Sequence, residues 1–252
     1  MNKTQVTIDE YGVARLIFRN GRGNPLSPDL LDELNEQLDT LVENPPRALI
    51  IDTDSASIYS GGFALPIVAS WPRAELRSFF EGFLDIIYKI MSISCPTITV
   101  IEGHAIAGGF ILSLATDMRY IKDAPIKFGL SEVDLGVALP AGAGVLFEWR
   151  TSPSAALYHS MTGTLFSAQT AKEIGYATKV CEVPLEEATR MAQALAQKPG
   201  QGVSGTRIYF NERIIQEMKK ADDQFMDDFL DTWFSPEGQN AIQTLARKLS
   251  NK

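Results

Sequence analysis

Two glycine-rich segments and one glutamate are the residues of this sequence whose types and spacing could do chemistry. The segment GHAIAGGF covers residues 103 to 110, SGGF covers residues 60 to 63, and the glutamate is Glu132. A strand that delivers Gly108 and Gly109 to the start of an apolar helix exposes backbone N–H groups, which can bind an oxygen that develops negative charge. Two such donors from separate turns would form an oxyanion hole.

Glycine is needed at Gly108 and Gly109 if a ligand must approach the backbone closely, because a Cβ atom would occupy the place of the ligand. Tight packing of the helix against a neighbouring element is the alternative explanation of the same two glycines. The second glycine-rich turn follows a separate strand, and this favours the functional interpretation.

Glu132 lies in the segment FGLSEVDLG, which is too apolar for a solvated surface. Burial in such surroundings disfavours the charged carboxylate, so the group becomes a stronger base that is suited to proton abstraction. A glutamate that caps a helix or forms a salt bridge would explain the same residue. Composition alone favours that structural role.

The histidines and cysteines suggest no competing chemistry. His104 and His159 have no partner at the spacing of metal ligands, so no metal site is expected, and His104 is interpreted as a hydrogen-bonded structural residue. Cys95 precedes a proline at a predicted strand start and has no basic neighbour that would favour a thiolate. The absence of a GxSxG motif argues against a serine hydrolase of that type.

Composition and charge limit the class of protein. The 252 residues, 45% of them hydrophobic, can bury the core of one large domain or two small ones. A formal net charge of −8 with scattered basic residues argues against a nucleic-acid partner. No apolar run reaches the ~20 residues of a membrane span, so no membrane partner is expected. Two unpaired thiols and the lack of a leader-like first segment favour the cytoplasm.

The apolar pattern predicts elements that place each glycine segment after a strand. In chain order they are a β-hairpin about residues 10–12, a helix from Ser27-Pro28 to 44–46, a strand at 48–51, a helix at 72–93, a strand at 97–101, a helix after Gly108 and a short strand at 179–183. This alternation predicts an α/β fold with parallel strands, in which ligands bind beyond the carboxyl ends of the strands. Helices dominate beyond Ser152, and the apolar residues after Gly202 are expected to pack against a neighbouring subunit.

Six ordered segments resemble the crotonase superfamily, also called the enoyl-CoA hydratase/isomerase family, over almost the whole chain. They are Asn24-Pro25-Leu26-Ser27, YSGGFAL at 59–65, GHAIAGGF, Asp117 with Arg119, FGLSEVDLG at 128–136 and TGTLFSAQTAKEIGYATKV at 162–180. The resemblance implies an α/β fold in which residues 1–195 form a spiral of ββα units and residues 196–252 form a helical region used in trimerisation. It also implies a homotrimer, or a hexamer built from two trimers, that acts on an acyl-CoA in fatty acid β-oxidation.

The same resemblance implies roles for individual residues. The N–H groups of the oxyanion hole fall on Phe63 and Gly108, and a catalytic glutamate falls on Glu132. Arg22 would lie near the phosphates of CoA, and the backbone at 62–65 would lie near its adenine. Further substrate contacts are implied for Ser60, Gly62, Ala64, Leu65, Gly109 and Leu135.

Departures from the hydratase pattern indicate which reaction to expect. Hydratases of this family carry two catalytic glutamates, and the first of these positions is Ile111 here. Addition of water is helped by two carboxylates, whereas one base can move a proton between two carbons. Pro140 stands one residue later than in typical hydratases, as it does in 3-enoyl-CoA to 2-enoyl-CoA isomerases. Ala64 replaces the usual aspartate and Phe63 is bulkier than the common alanine, which leaves the acyl-chain specificity open.

The resemblance therefore implies a Δ3,Δ2-enoyl-CoA isomerase that uses Glu132 as its single base and needs no metal or redox cofactor. Three alternatives stay open. They are a hydratase-like activity, another reaction of the family such as decarboxylation or thioester hydrolysis, and an acyl-CoA binding protein without catalysis. The retained Glu132 counts against the last of these.

Overall fold

The computed structural model describes residues 2–53 and 55–250. The strands are β1 (Thr4–Ile8), β2 (Val13–Phe18), β3 (Ala48–Thr53), β4 (Ile58–Ser60), β5 (Thr97–Ile101), β6 (His104–Ile106), β7 (Met118–Lys122), β8 (Lys127–Gly129), β9 (Phe166–Ser167) and β10 (Lys179–Cys181). The helices are α1 (Pro28–Glu43), α2 (Leu65–Val68), α3 (Arg73–Ser92), α4 (Gly108–Leu114), α5 (Ala141–Arg150), α6 (Pro153–Thr162), α7 (Ala168–Glu173), α8 (Pro184–Ala196), α9 (Gly200–Trp233) and α10 (Pro236–Ser250). A 3₁₀ helix covers Glu132–Leu135.

The strands are divided between two sheets. The larger sheet has the order β1-β2-β3-β5-β7-β10, and its pairs are parallel except β1 with β2. The smaller sheet has the order β4-β6-β8-β9, with β8 and β9 antiparallel. Successive segments give one strand to each sheet, β3 then β4, β5 then β6, and β7 then β8. This repetition confirms the predicted α/β spiral of ββα units followed by C-terminal helices.

The central strands are buried throughout because both faces of the larger sheet are covered. Every residue of β3 and β5 is buried. On one face Ile50 and Ile98 pack with Ala188 and Ala192 of α8. The other face belongs to the main hydrophobic core, to which the helices α1, α3, α4 and α5 contribute.

Helix α1 begins where the sequence predicts, directly after the N-cap residue Ser27. The Ser27 side chain makes no capping bond to the helix backbone. Its hydroxyl instead accepts a hydrogen bond from Asn20 Nδ2 at 2.7 Å and donates to the Asp29 carboxylate. Five leucines at helical spacing bury one face of the helix, namely Leu30, Leu31, Leu34, Leu38 and Leu41.

The C-terminal helices pack on their own chain. Phe229 and Trp233, near the end of α9, are 2% and 4% exposed, although the sequence suggested that they face a neighbouring subunit. Helix α10 turns back and buries Ile242 and Ala246. It contacts both α2 and the 3₁₀ helix, and thereby lies across two segments that border the site described below.

Candidate active site

A cavity of about 240 Å³ lies beyond the carboxyl ends of β4 and β6. Residues from both glycine-rich turns, the 3₁₀ helix, α3, α9 and α10 line it, namely Gly61, Phe63, Leu65, Phe80, Ile106, Ala107, Ser131, Glu132, Leu135, Val137, Pro140, Phe229, Trp233, Leu245 and Leu249. At least four larger clefts, of about 460, 410, 340 and 300 Å³, lie elsewhere, and none of them is lined by a glycine-rich turn. This cavity therefore lies where the sequence predicts a ligand site, beyond the carboxyl ends of strands.

The first glycine-rich turn, residues 60–63, is called the first turn below, and residues 103–110 form the second turn. The first turn leaves the N–H group of Phe63 outside the sheet. Leu26 forms an isolated parallel bridge with Phe63, in which Leu26 N donates to Gly62 O at 2.8 Å and Ala64 N donates to Leu26 O at 3.0 Å. In such a bridge the N–H of the central residue points away from the partner. Among the described residues we find no backbone acceptor for Phe63 N–H, so this donor is available to a ligand.

The second turn is strained at a residue that the sequence did not single out. Ala107, the N-cap of α4, has φ 52 and ψ −129. A residue with a side chain pays ~1–3 kcal/mol for a backbone of this kind, and such strain is concentrated at functional sites. Ala107 N donates to Gly129 O at 2.9 Å, and Ala107 O accepts from Ile111 N at 3.0 Å. These bonds fix the turn that presents Gly108 N–H at the start of α4.

The two turns touch each other through their glycines. A Cβ atom on Gly62 would lie 3.2 Å from the Gly108 nitrogen, and one on Gly108 would lie 2.9 Å from the Phe63 ring. A Cβ atom on Gly109 would lie 2.5 Å from Ser60 Cβ. Close packing thus explains both Gly108 and Gly109, and the packing partner is the other glycine-rich turn. The same contacts bring the Phe63 and Gly108 segments together at the edge of the cavity.

Glu132 begins the 3₁₀ helix and brings a carboxylate to the cavity. The residue is half-buried, but its Oε2 is closed off from solvent and has no hydrogen-bond partner among the described residues. Burial raises the pKa of Glu132 to about 7, and the nearby backbone N–H groups of Ser131 and Glu132 offset only part of this effect. Neither a salt bridge nor a capping bond of the side chain is found in residues 2–53 and 55–250, so the structural role favoured by composition is wrong.

Aromatic rings form the wall beside the first turn. The Phe63 ring makes edge-to-face contacts with Phe80 and Phe83 at centroid distances of 5.1 and 4.9 Å. Phe80 in turn contacts Phe229 at 4.6 Å and Trp233 at 5.5 Å. The Phe63 ring is therefore held in place by this cluster.

The predicted substrate residues fall into two groups. Leu65 and Leu135 line the cavity together with Phe63 and Glu132. The others are buried in the turns behind the lining, namely Ser60, Gly62, Ala64 and Gly109. The Ser60 hydroxyl accepts a hydrogen bond from Gly62 N at 3.1 Å, so this side chain supports the turn.

Arg22 lies on an exposed loop that is joined to the first turn. Gly61 N donates to Gly23 O at 2.9 Å, and Asn24 Nδ2 donates to Tyr59 O at 2.7 Å. The loop therefore keeps a fixed position relative to Gly61, which lines the cavity.

The position of the first hydratase glutamate carries no charge. Ile111 is buried in the core, 1% exposed, and is not among the lining residues. Glu132 is the one acidic residue in the lining as far as the described chain shows. A single carboxylate thus serves this cavity.

The histidines and Cys95 lie outside this chemistry. His104 Nδ1 accepts a hydrogen bond from Lys127 N at 3.0 Å, which confirms the predicted structural role. His159 Nδ1 donates to Thr164 O at 2.9 Å. Cys95 is buried, and burial raises the pKa of its thiol to about 12. Residues 2–53 and 55–250 contain no cluster of side chains that could hold a metal ion.

The lining also contains residues that sequence reasoning missed. They are the strained Ala107 and several apolar side chains of distant segments, namely Phe80, Val137, Phe229, Trp233, Leu245 and Leu249. Alanine gives no sequence signal for a positive φ, and the helix residues had a pattern typical of any buried face.

Within the described residues no helix is both long enough and apolar enough to span a bilayer.

Known proteins share both sequence and fold with this chain. Human enoyl-CoA delta isomerase 1, mitochondrial, is 28% identical over 189 residues, which cover 74% of this chain and 62% of that protein. Methylglutaconyl-CoA hydratase, mitochondrial, of Mus musculus is 31% identical over 165 residues, which cover 63% of this chain and 51% of that protein. The matched segment thus spans less than two thirds of either relative.

Solved structures show the shared fold more fully. The crystal structure of human mitochondrial delta3-delta2-enoyl-CoA isomerase matches with a TM-score of 0.92 at 22% identity, over 99% of both chains. An enoyl-CoA hydratase/isomerase from Xanthobacter autotrophicus Py2 matches with a TM-score of 0.86 at 23% identity, over 98% of this chain and 93% of that chain.

The family comparison covers most of the sequence. The family described as enoyl-CoA hydratase/isomerase matches residues 9–240. Together with the spiral of ββα units, this match confirms the resemblance that the six sequence segments indicated. This protein belongs to the enoyl-CoA hydratase/isomerase family, the crotonase superfamily.

Proposed function

We propose that this protein converts 3-enoyl-CoA to 2-enoyl-CoA, with Glu132 as the single base. The observation that carries the proposal is the isolated carboxylate, whose Oε2 is buried without a hydrogen-bond partner. Burial raises the pKa of Glu132 to about 7. A group that titrates near the working pH can both take a proton and return it, which is what an isomerase requires.

The reaction moves one proton and one double bond. Ionised Glu132 removes a proton from C2, and the electron pair delocalises into a dienolate with negative charge on the thioester oxygen. The N–H groups of Phe63 and Gly108 donate hydrogen bonds to that oxygen, and each such donor is typically worth ~3–4 kcal/mol in an acyl-transfer enzyme. Protonated Glu132 then gives the proton to C4, so the double bond passes from C3–C4 to C2–C3 and no atom is gained or lost.

Binding and assembly complete the proposal. The substrate is an acyl-CoA whose phosphates lie near Arg22, on the loop joined to the first turn. The proton shift needs neither a metal nor a redox cofactor. A homotrimer or a pair of trimers, built through residues 196–252, and a cytoplasmic location stay predictions from the sequence.

Hydration of 2-enoyl-CoA is the second candidate, because hydratases are among the relatives. It requires a water molecule to be held and activated, which two carboxylates do better than one. Glu132 is the one acidic residue found in the described lining, and Ile111 is an apolar core residue outside that lining. This arrangement favours isomerisation over hydration.

The proposal is tested by product analysis with purified full-length protein. We expect 3-hexenoyl-CoA to be converted to 2-hexenoyl-CoA, with far slower formation of 3-hydroxyhexanoyl-CoA from 2-hexenoyl-CoA. Faster hydration, release of free CoA, or decarboxylation of a malonyl-type CoA would each assign a different reaction. Tight binding of 3-hexenoyl-CoA without any product would identify a binding protein.

A further inference from the structure

Helix α10 closes the cavity between the two catalytic elements. It contacts α2, which follows Phe63, and the 3₁₀ helix, which begins at Glu132. Ile242 and Ala246 anchor one side of α10 in the core. Leu245 and Leu249, one helical turn apart, line the cavity.

The part of the cavity under α10 is suited to a hydrocarbon chain. Apart from Ser131 and Glu132, its lining side chains are apolar or aromatic. Phe80, Phe229 and Trp233 belong to one continuous ring cluster in this wall. Burial of methylene groups supplies the affinity in such a site, and the volume available limits how many can enter.

The volume permits only a short chain. At ~30 Å³ for each water-sized group, a space of 240 Å³ holds about eight non-hydrogen atoms. The thioester carbon, oxygen and sulfur use about three of these positions on the same scale. About five further carbons fit, which corresponds to an acyl chain of about six carbons.

We infer that Leu245 and Leu249 form the wall that limits the acyl chain, and that the substrates are short-chain 3-enoyl-CoA thioesters of about six carbons. The reaction named here rests on the proposed function. The length limit is a property of the cavity alone, so it can be measured without catalysis.

Saturated acyl-CoA thioesters test the limit, because they have no double bond to move. We would titrate butanoyl-, hexanoyl-, octanoyl- and dodecanoyl-CoA into the full-length protein by calorimetry. Each added methylene that is buried should increase affinity about fourfold. We expect this increase to stop near hexanoyl-CoA in the wild-type protein. Affinity that continues to rise through dodecanoyl-CoA would overturn the inference.

Variants identify the wall. In Leu245→Ala, affinity should keep rising to chains about two carbons longer than in the wild type. In Leu245→Phe, it should stop rising at shorter chains. Leu249 is 44% exposed, so Leu249→Ala should destabilise the fold less than the Leu245 variants. It should shift the chain-length limit in the same direction as Leu245→Ala, but by less. Leu157→Ala, at a 61% exposed leucine of α6, is the matched control and should leave the profile unchanged.

The two proposals can fail separately. Unchanged chain-length profiles in both Leu245 variants and in Leu249→Ala would show that α10 is not the limiting wall. The product analysis with 3-hexenoyl-CoA would stand in that case. Conversely, a protein that shows the expected profile but forms no 2-hexenoyl-CoA would keep the length limit and lose the isomerase function.

Discussion

Two half-buried carboxylates of this molecule, those of Asp117 and Glu132, have opposite surroundings. Asp117 Oδ2 accepts hydrogen bonds from Thr97 N at 2.8 Å, Thr97 Oγ1 at 3.0 Å and Arg207 Nε at 2.6 Å, and Asp117 Oδ1 accepts from Asn211 Nδ2 at 3.2 Å. Glu132 Oε2 accepts none from the described residues. A buried carboxylate surrounded by donors stabilises the fold, whereas one without donors keeps its free energy high and is ready to bind a proton.

Arg207, the partner of Asp117, links several segments of the fold. The Arg207 guanidinium, on α9, also donates to the backbone oxygens of Ile90, Met91 and Ile93 at the end of α3. The pair therefore joins α9 to α3 and to the strand that begins at Thr97. Glu132 Oε2 has no hydrogen-bond partner among the described residues, so replacement of this side chain should leave the fold intact.

The largest effect is expected from Glu132→Gln, which keeps the size of the side chain but cannot accept the C2 proton. Turnover of 3-hexenoyl-CoA should fall ~100- to 10,000-fold, while affinity for hexanoyl-CoA stays nearly unchanged. Steady-state kinetics and calorimetric titration measure the two quantities. Asp134→Asn, at an exposed carboxylate of the same 3₁₀ helix, is the control. Near-normal turnover in Glu132→Gln would assign the base to another group.

The next effect, on stability, is expected from Asp117→Ala. This change leaves the Arg207 guanidinium buried without its charge partner, and such losses destabilise proteins by ~3–5 kcal/mol. Denaturant unfolding measures it, and the protein that stays folded should keep its turnover number. Asp227→Ala breaks the exposed ion pairs with Arg73 and Arg77 and should change stability little. Equal stability of Asp117→Ala and the wild type would remove the contrast between the two carboxylates.

The smallest effect is expected in the pH dependence of kcat/KM, which should follow the ionisation of Glu132. Only the ionised carboxylate acts as base, so kcat/KM should fall about tenfold for each pH unit below the pKa of about 7 and stay level above it. A flat profile between pH 5 and pH 8 would contradict a base with this pKa.

The same pKa predicts the sign of a stability difference. The folded protein holds the Glu132 proton up to a pKa of about 7, above the ordinary value of 4.5, so this contribution is fully present below pH 4.5 and is lost as the pH rises to about 7. Relative to Glu132→Gln, the wild type should lose up to about 3 kcal/mol over that interval. Glu132→Gln should thus be the more stable protein at pH 8, opposite in sign to Asp117→Ala. The same difference in unfolding free energy between the wild type and Glu132→Gln at pH 5 and at pH 8 would contradict this.

The sequence predicted those features that local signals determine. The leucine spacing of α1, the apolar runs of β3 and β5, and the two glycine-rich turns each depend on neighbouring residues. The apolar surroundings of Glu132 were visible in its own segment, although composition favoured a structural role. The raised pKa confirms the basicity that those surroundings predicted.

Features that depend on distant segments could not be predicted in this way. The positive φ of Ala107 is imposed by Gly129 O on β8 and by the start of α4, and alanine itself does not favour it. Leu245 and Leu249 carry an ordinary amphipathic pattern, which does not tell whether a helix covers a core, a partner or a cavity. The pairing of Asp117 with Arg207 spans 90 residues and likewise arises only in the folded chain.

The position of α10 has a consequence for biosynthesis. Both sheets and both glycine-rich turns precede residue 182, but part of the cavity wall comes from residues 229–249. At a translation rate of ~5–20 residues per second, a nascent chain therefore spends seconds with the ring cluster of α3 uncovered. We expect the ribosome-bound chain to present an apolar groove in place of the cavity during this interval.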